Sequence, residues 1–372
     1  MLLALIIALG ACSEPVFYMI SVEPPIKDPK IDGSPVNFIV FKDKVYTASG
    51  RSIYSYDGTS FEKIPSQPGG WILQLAATDS HLYALCFPDS GNTSLKRSST
   101  AGNWEDVTGV TDGYNMLQSV YADKNKVFIG AEREGNFIIL YIDEALDLKF
   151  NALTPGGTKE NPEYLLCGIA YDSVHYYLCT KGNTIFLTPI TGGAVITNSK
   201  KVDDAAFTGI INIDNNTILA ISRNGYLYNA TGADITIVPD ISIGSDRYST
   251  GALAVWIDPN DPSKKLLLAG RQDSLVYTVN SGYTYGYMEL ELDSGGIKAD
   301  RDFVEPGRAD ITSVADNDYD RYVSTIGKYP VNHIFQTPKS IDPEMTLFAS
   351  TQKNGVWSYR IRDGIPQWNA EE

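Results

Sequence analysis

One pattern recurs down the chain and limits the folds open to it. An apolar strand runs into a corner rich in Asp, Asn or Ser and returns as a second apolar strand. The copies are FIVFKDKVYTA (38–48), LQLAATDSHLYAL (73–85), SVYADKNKVFIGA (119–131), GIAYDSVHYYLC (168–179), GIINIDNNTILAI (209–221), ALAVWIDPNDPSKKLLLAG (252–270) and IFQTPKSIDPEMTLFAS (334–350). A third strand follows each: SIYSY, SLKRS, FIILY, TIFLT, GYLYN, LVYTV and VWSYR. Units start near 36, 71, 116, 164, 205, 249 and 331, and four-stranded units spaced about 40–45 residues apart are the mark of propeller blades. The expectation is an all-β chain, a seven-bladed β-propeller of four-stranded antiparallel blades over 36–369. A sheet of four short strands cannot cover both of its faces alone, so neighbours must stack radially. Trp71, Trp104 and Trp357 are expected in the layers between blades. Helix is nearly absent from the pattern, with only DEALDL (143–148) fit for a short turn.

Ring closure has two candidates, VFYMISV (16–22) and IPQWN (365–369), and a last blade mixing both is preferred. Between the sixth and seventh units lie extra residues, 293–330, containing the hairpin-like ITSVADNDYDRYVSTI. They read as an insertion over one face of the ring, or less readily as an incomplete eighth blade. Long insertions in compact folds are often functional.

Two local resemblances add to this. LKRSSTAGNWEDVTG (95–109) resembles the Ser-x-Asp-x-Gly-x-Thr-Trp turn of Asp-box (BNR-type) propellers, with Ser98, Gly102 and Trp104 in matching places and Thr100 where the Asp would be. Ile257-Asp258-Pro259 and Ile341-Asp342-Pro343 resemble a second hallmark of that family, and YDGTSFEKI and VNSGYTYGYMEL are weaker copies. The family includes sialidases, sortilin-like receptors, xyloglucanases and photosystem-assembly factors, so the resemblance implies blades and not an activity. The ending GVWSYRIRDGIPQWNAEE is similar to the tails of spirochaetal, Treponema-type propeller lipoproteins.

The first residues, MLLALIIALGAC, fit that last likeness. Their apolar run is shorter than the roughly 20 residues that cross a bilayer and has the form of a signal-peptide core. Leu9-Gly10-Ala11-Cys12 resembles the bacterial lipobox, although no Lys or Arg precedes the run. The resemblance implies a signal peptide over 1–11, cleavage before Cys12 and a lipid on its sulfur. Residues 12–35 would be a linker carrying a candidate closing strand, and the protein would sit at the bacterial envelope.

Chemistry is harder to find. A net charge of −15 excludes the basic footprint of a nucleic-acid binder. His81, His175 and His333 lie in different units, and there is no metal-ligand spacing for zinc. Asp316, Asp318 and Asp320 alternate as the first ligands of a calcium loop do, but Arg321 replaces the required Gly and Gly327 the closing Glu. That is a weak calcium candidate, and an acidic hairpin turn facing water explains the same residues, so no metal or cofactor is expected. Tyr359-Arg360-Ile361-Arg362 superficially resembles a sialidase Arg motif but lacks the Pro, and a strand packing its Tyr and exposing its Arg residues explains it better. Cys86 is expected buried. Cys167 and Cys179 should face each other across a hairpin, either bridged or as two thiols.

The favoured reading is a non-catalytic envelope lipoprotein whose propeller binds a partner protein or glycan. The insertion, through Asp316, Asp318, Tyr319, Asp320, Tyr322 and Tyr329, is its candidate contact surface. The alternative is an envelope glycoside hydrolase or sialidase-like enzyme using acidic residues at the propeller face.

Overall fold

The computed structural model describes residues 30–89, 91–108, 114, 116–134, 136–146, 151–153, 165–170, 175–180, 184–189, 198–201, 207–214, 217–222, 226–231, 234–242, 248–271, 275–276, 283–284, 287–293, 296–297, 330–362 and 365–371. They are all-β, arranged in small antiparallel sheets, and the one helical turn among them is Glu144–Leu146.

Seven of the sheets have four strands, each hydrogen-bonded to the next along the sheet. The first holds Ile39–Phe41, Lys44–Ser49, Ser52–Tyr56 and Phe61–Lys63, and the second Trp71–Ala77, Leu82–Phe87, Ser94–Ser98 and Glu105–Asp106. The third holds Met116–Asp123, Lys126–Arg133, Asn136–Asp143 and Asn151–Leu153. The fourth and fifth begin with Leu165–Ala170 and Phe207–Asp214. The sixth contains Tyr248–Ile257, Lys265–Arg271, Tyr287–Asp293 and Gly296–Ile297. The seventh contains Val331–Gln336, Leu347–Thr351, Val356–Arg362 and Ile365–Ala370.

The second strand of the second sheet shows how such thin sheets are stable. In the second sheet Leu82, Tyr83, Ala84, Leu85 and Cys86 are all buried. Strand side chains alternate between faces, so Leu82, Ala84 and Cys86 pack with the first sheet while Tyr83 and Leu85 pack with the third. In the third sheet Val127, Ile129 and Ala131 return the contact. A Leu, Val or Ile among them contributes about 1.5–3 kcal/mol when fully buried. Consecutive sheets adjoin through their first strands from the first to the seventh. The first sheet also packs against the seventh, where Phe38, Val45, Tyr56 and Phe61 meet Ile341, Phe348 and Val356.

That seam is polar as well as apolar. The hydroxyl of Tyr56 donates to Asp342 Oδ2 at 3.1 Å, and Asp342, 3% exposed, also accepts from the Glu344 and Thr346 N–H groups. The Ile-Asp-Pro corner is thus a capped turn whose carboxylate grips the neighbouring sheet. Gly58, at φ +100°, lies so close that an added Cβ would stand 2.4 Å from the Ile341 carbonyl oxygen.

A one-residue bulge recurs near the start of the first strand, immediately before Gln74, Ser119, Cys167, Gly209 and His333. First strands present an unpaired edge, and side-chain amides serve it. Asn37 Nδ2 donates to the Leu75 carbonyl at 2.7 Å, and its Oδ1 accepts from the Leu75 N–H at 3.0 Å. Gln74, at the matching register position, accepts from the Val120 N–H at 3.1 Å. Gln336 clamps both backbone groups of Ile257 at 2.8 Å.

Several expectations need correction. LVYTV is not the third strand of the sixth sheet: Leu275–Val276 pairs with Tyr283–Thr284 in a separate ribbon, and Tyr287–Asp293 takes its place. The residues YMELELD alternate over seven positions, enough to line the length of Lys265–Arg271. Gly296–Ile297 completes that sheet, so strand pairing runs past 293. The seventh sheet takes its fourth strand from Ile365–Ala370, one of the two closing candidates; the other, residues 16–22, lies outside the described residues.

Candidate functional site

Neighbouring strands alternate in direction, so first strands begin, second strands end and the turns into third strands fall at one common end of the sheets. At this end the second sheet exposes large apolar side chains. Gly69 and Gly70, at φ +86° and +77°, turn the chain into Trp71, and a Cβ on Gly70 would stand 2.7 Å from the Phe87 carbonyl oxygen. Trp71 pairs in register with Phe87. The next pair, Ile72 with Cys86, enters the core, which leaves Trp71 52% and Phe87 46% exposed. Trp71 is therefore not the interlayer side chain expected of it, whereas Trp104 and Trp357 do pack between sheets.

Leu73 is the bulged residue, turned outward, and Met116 holds in the third sheet the register place of Trp71; both are about as exposed as Phe87. Arg51, in the turn after Ser49, sets its guanidinium 5.6 Å from the Trp71 ring centroid, a cation–π distance. It also forks onto the Asp89 carboxylate, with one hydrogen bond of 2.9 Å. Asp89 holds the guanidinium above its ordinary pKa, and Arg51 holds the carboxyl below its own. These exposed apolar side chains thus lie at one end of the second and third sheets, with the Arg51–Asp89 ion pair beside Trp71.

The opposite end of the second and third sheets carries an ionisable cluster that the sequence did not disclose. His81 Nδ1 lies 2.6 Å from Glu144 Oε1, which also accepts from the Tyr83 hydroxyl at 2.6 Å. Lys126 and Tyr141 both donate to Asp143. Burial works against the Asp143 charge, but these donors and the Ala145 N–H outweigh it and keep its pKa low. Asp123 is raised by burial, and its Oδ2 is buried without a partner, as is Glu144 Oε2. Among the described residues no three His, Cys, Asp or Glu side chains form a group able to hold a metal ion.

Cys86 is buried and unpaired, and burial pushes its thiol up to about 12. Cys167 and Cys179 are register partners on adjacent strands. Arg360 is not exposed for a carboxylate clamp: it bonds Glu371 at 3.2 Å and the Tyr56 hydroxyl at 3.4 Å. Cys12, Asp316, Asp318, Tyr319, Asp320, Tyr322 and Tyr329 lie outside the described residues.

No family model and no curated protein matches the chain. Among solved structures it is similar to the computationally designed Ika8 protein, at 10% identity and a TM-score of 0.56, covering 93% of this chain and 90% of that one. It is also similar to the extracellular domain of the hybrid two component system BT3049 from B. thetaiotaomicron, at 13% identity and a TM-score of 0.57, over 90% of this chain and 40% of that one. At these identities the likeness concerns the fold alone.

Proposed function

We propose that the seven sheets are the blades of one β-propeller, and that the protein is a lipid-anchored envelope scaffold binding a partner protein or glycan without transforming it. The observation that carries this reading is the order of packing, in which each sheet adjoins the next and the first packs on the seventh through Phe38, Tyr56 and Phe348. A disc so built is rigid, and its loops and insertions are free to bind. The lipobox-like ending at Cys12 supports anchorage. A binding role is favoured over sialidase-like chemistry because Arg360 is held by Glu371 and Tyr56. The insertion with Asp316, Asp318, Tyr319, Asp320, Tyr322 and Tyr329 remains the proposed contact. Its flanking strands, ending at Ile297 and restarting at Val331, meet it at the end of the sheets that bears Trp71.

The test uses a tagged full-length chain in a bacterial host. Palmitate labels the protein and not Cys12→Ser, and the chain recovers a specific envelope partner or binds defined glycans. Replacing 298–329 by a short Gly/Ser loop abolishes that recovery. Turnover of a glycan panel with no retained partner would instead establish the hydrolase alternative.

A further inference from the structure

We infer that the end of the disc bearing Trp71 rests on a phospholipid surface, with Trp71, Leu73, Phe87 and Met116 seated at the headgroup boundary. This rests on the lipid-anchor reading above. An exposed cluster of Trp, Leu, Phe and Met in a soluble fold calls for an occupant, and the place where the chain enters the fold identifies it. The Asp32 carbonyl accepts from the Ser49 hydroxyl. The Gly33 carbonyl accepts from the Gly355 N–H, and the Ser34 hydroxyl from the Lys353 N–H at 2.9 Å. These partners all stand at the Trp71 end of the sheets. Gly50 follows Ser49, and a Cβ on Gly50 would stand 3.5 Å from the Trp71 ring. The tether therefore joins the disc beside the apolar platform.

From Cys12 to Lys30 the chain reaches at most about 60 Å when extended. An acyl chain at Cys12 thus holds this end next to the bilayer, at an effective concentration where weak insertion suffices. Trp and Phe suit the boundary. A net charge of −15 selects zwitterionic over anionic lipid. An insertion leaving from the same end would then meet its partner at the membrane surface.

The experiment reconstitutes the acylated full-length protein on phosphatidylcholine vesicles and substitutes brominated phosphatidylcholine, which quenches tryptophan by contact. Roughly one fifth of the emission, the share of one tryptophan in five, is expected to be lost, and Trp71→Phe is expected to abolish that loss. Trp71→Phe changes an exposed ring and leaves the core intact, so folding does not confound the result. A palmitate-labelled, vesicle-bound protein with unmoved emission overturns this inference and leaves the anchor standing. Absence of both label and vesicle binding overturns the two together. Shielding of Trp71 from acrylamide by a partner protein, with brominated lipid without effect, assigns the platform to that protein and overturns the inference.

Discussion

The seam between the first and seventh sheets decides whether the sheets form one body, and Asp342 is where it can be measured. Its carboxylate accepts three hydrogen bonds, from the Tyr56 hydroxyl and the Glu344 and Thr346 N–H groups. Asp342→Ala leaves the hydroxyl and the Thr346 N–H buried without an acceptor, while the half-buried Glu344 N–H can recruit water. Two orphaned buried donors at about 1–2 kcal/mol each give a loss of about 2–4 kcal/mol. Tyr56→Phe keeps the ring and its edge contact with Phe348, at 4.9 Å between centroids, and removes one donor, for about 1 kcal/mol. The double variant should cost about 1 kcal/mol less than the sum, because the shared bond can be lost only once. Urea unfolding followed by tryptophan emission gives all four stabilities. Additivity within about 0.3–0.5 kcal/mol is the behaviour of sites that do not touch. Observing it here would refute the bond.

Other consequences are quick to test. Gly58→Ala should destabilise by about 2 kcal/mol or more, since a Cβ would meet the Ile341 carbonyl and a positive φ disfavours it; urea midpoints decide. Ser119 holds the register place of Asn37 and Gln74 but its hydroxyl is buried without a partner. Ser119→Asn should therefore clamp the next first strand at Gly168 and add about 0.5–1 kcal/mol, and no gain in urea would refute the clamp. Asp143 has a lowered folded pKa, so its stabilisation is present above the unfolded value of about 3.9 and is lost as pH falls through the lower folded value. Asp143→Asn should thus cost stability at pH 7 and little in strong acid. Asp123 has the opposite sign: its raised folded pKa makes the ionised form a burden once pH exceeds the unfolded value. Asp123→Asn should stabilise at pH 7, with the gain vanishing below about pH 4, which paired urea titrations would show.

Much of the architecture was legible because it depends on features a single strand displays. LYALC is apolar at every position, so both its faces must be covered, and five such residues flanked by turn signals cannot be a surface strand. The Ile-Asp-Pro corners stood out only as a family resemblance, and that their carboxylates cap the turn was seen in the structure. What could not be read was any choice made between strands. LVYTV and YMELELD are both plausible third strands, and only the length of Lys265–Arg271 to be paired separates them. Trp71 looked like core because indole is apolar, but its fate was set by the next residue: with Ile72 pointing inward, the register sends Trp71 out. Arg360 likewise reads as a surface charge until Glu371 and Tyr56 arrive from other strands.

The amide clamps make the same point about binding. Asn37, Gln74 and Gln336 are unremarkable polar residues in a sequence, and their role exists only once a neighbouring sheet offers an unpaired edge. A platform such as Trp71 with Phe87 is likewise made by two strands and a bulge. Its chemistry is legible in neither segment alone, because register and not motif brings the two side chains together.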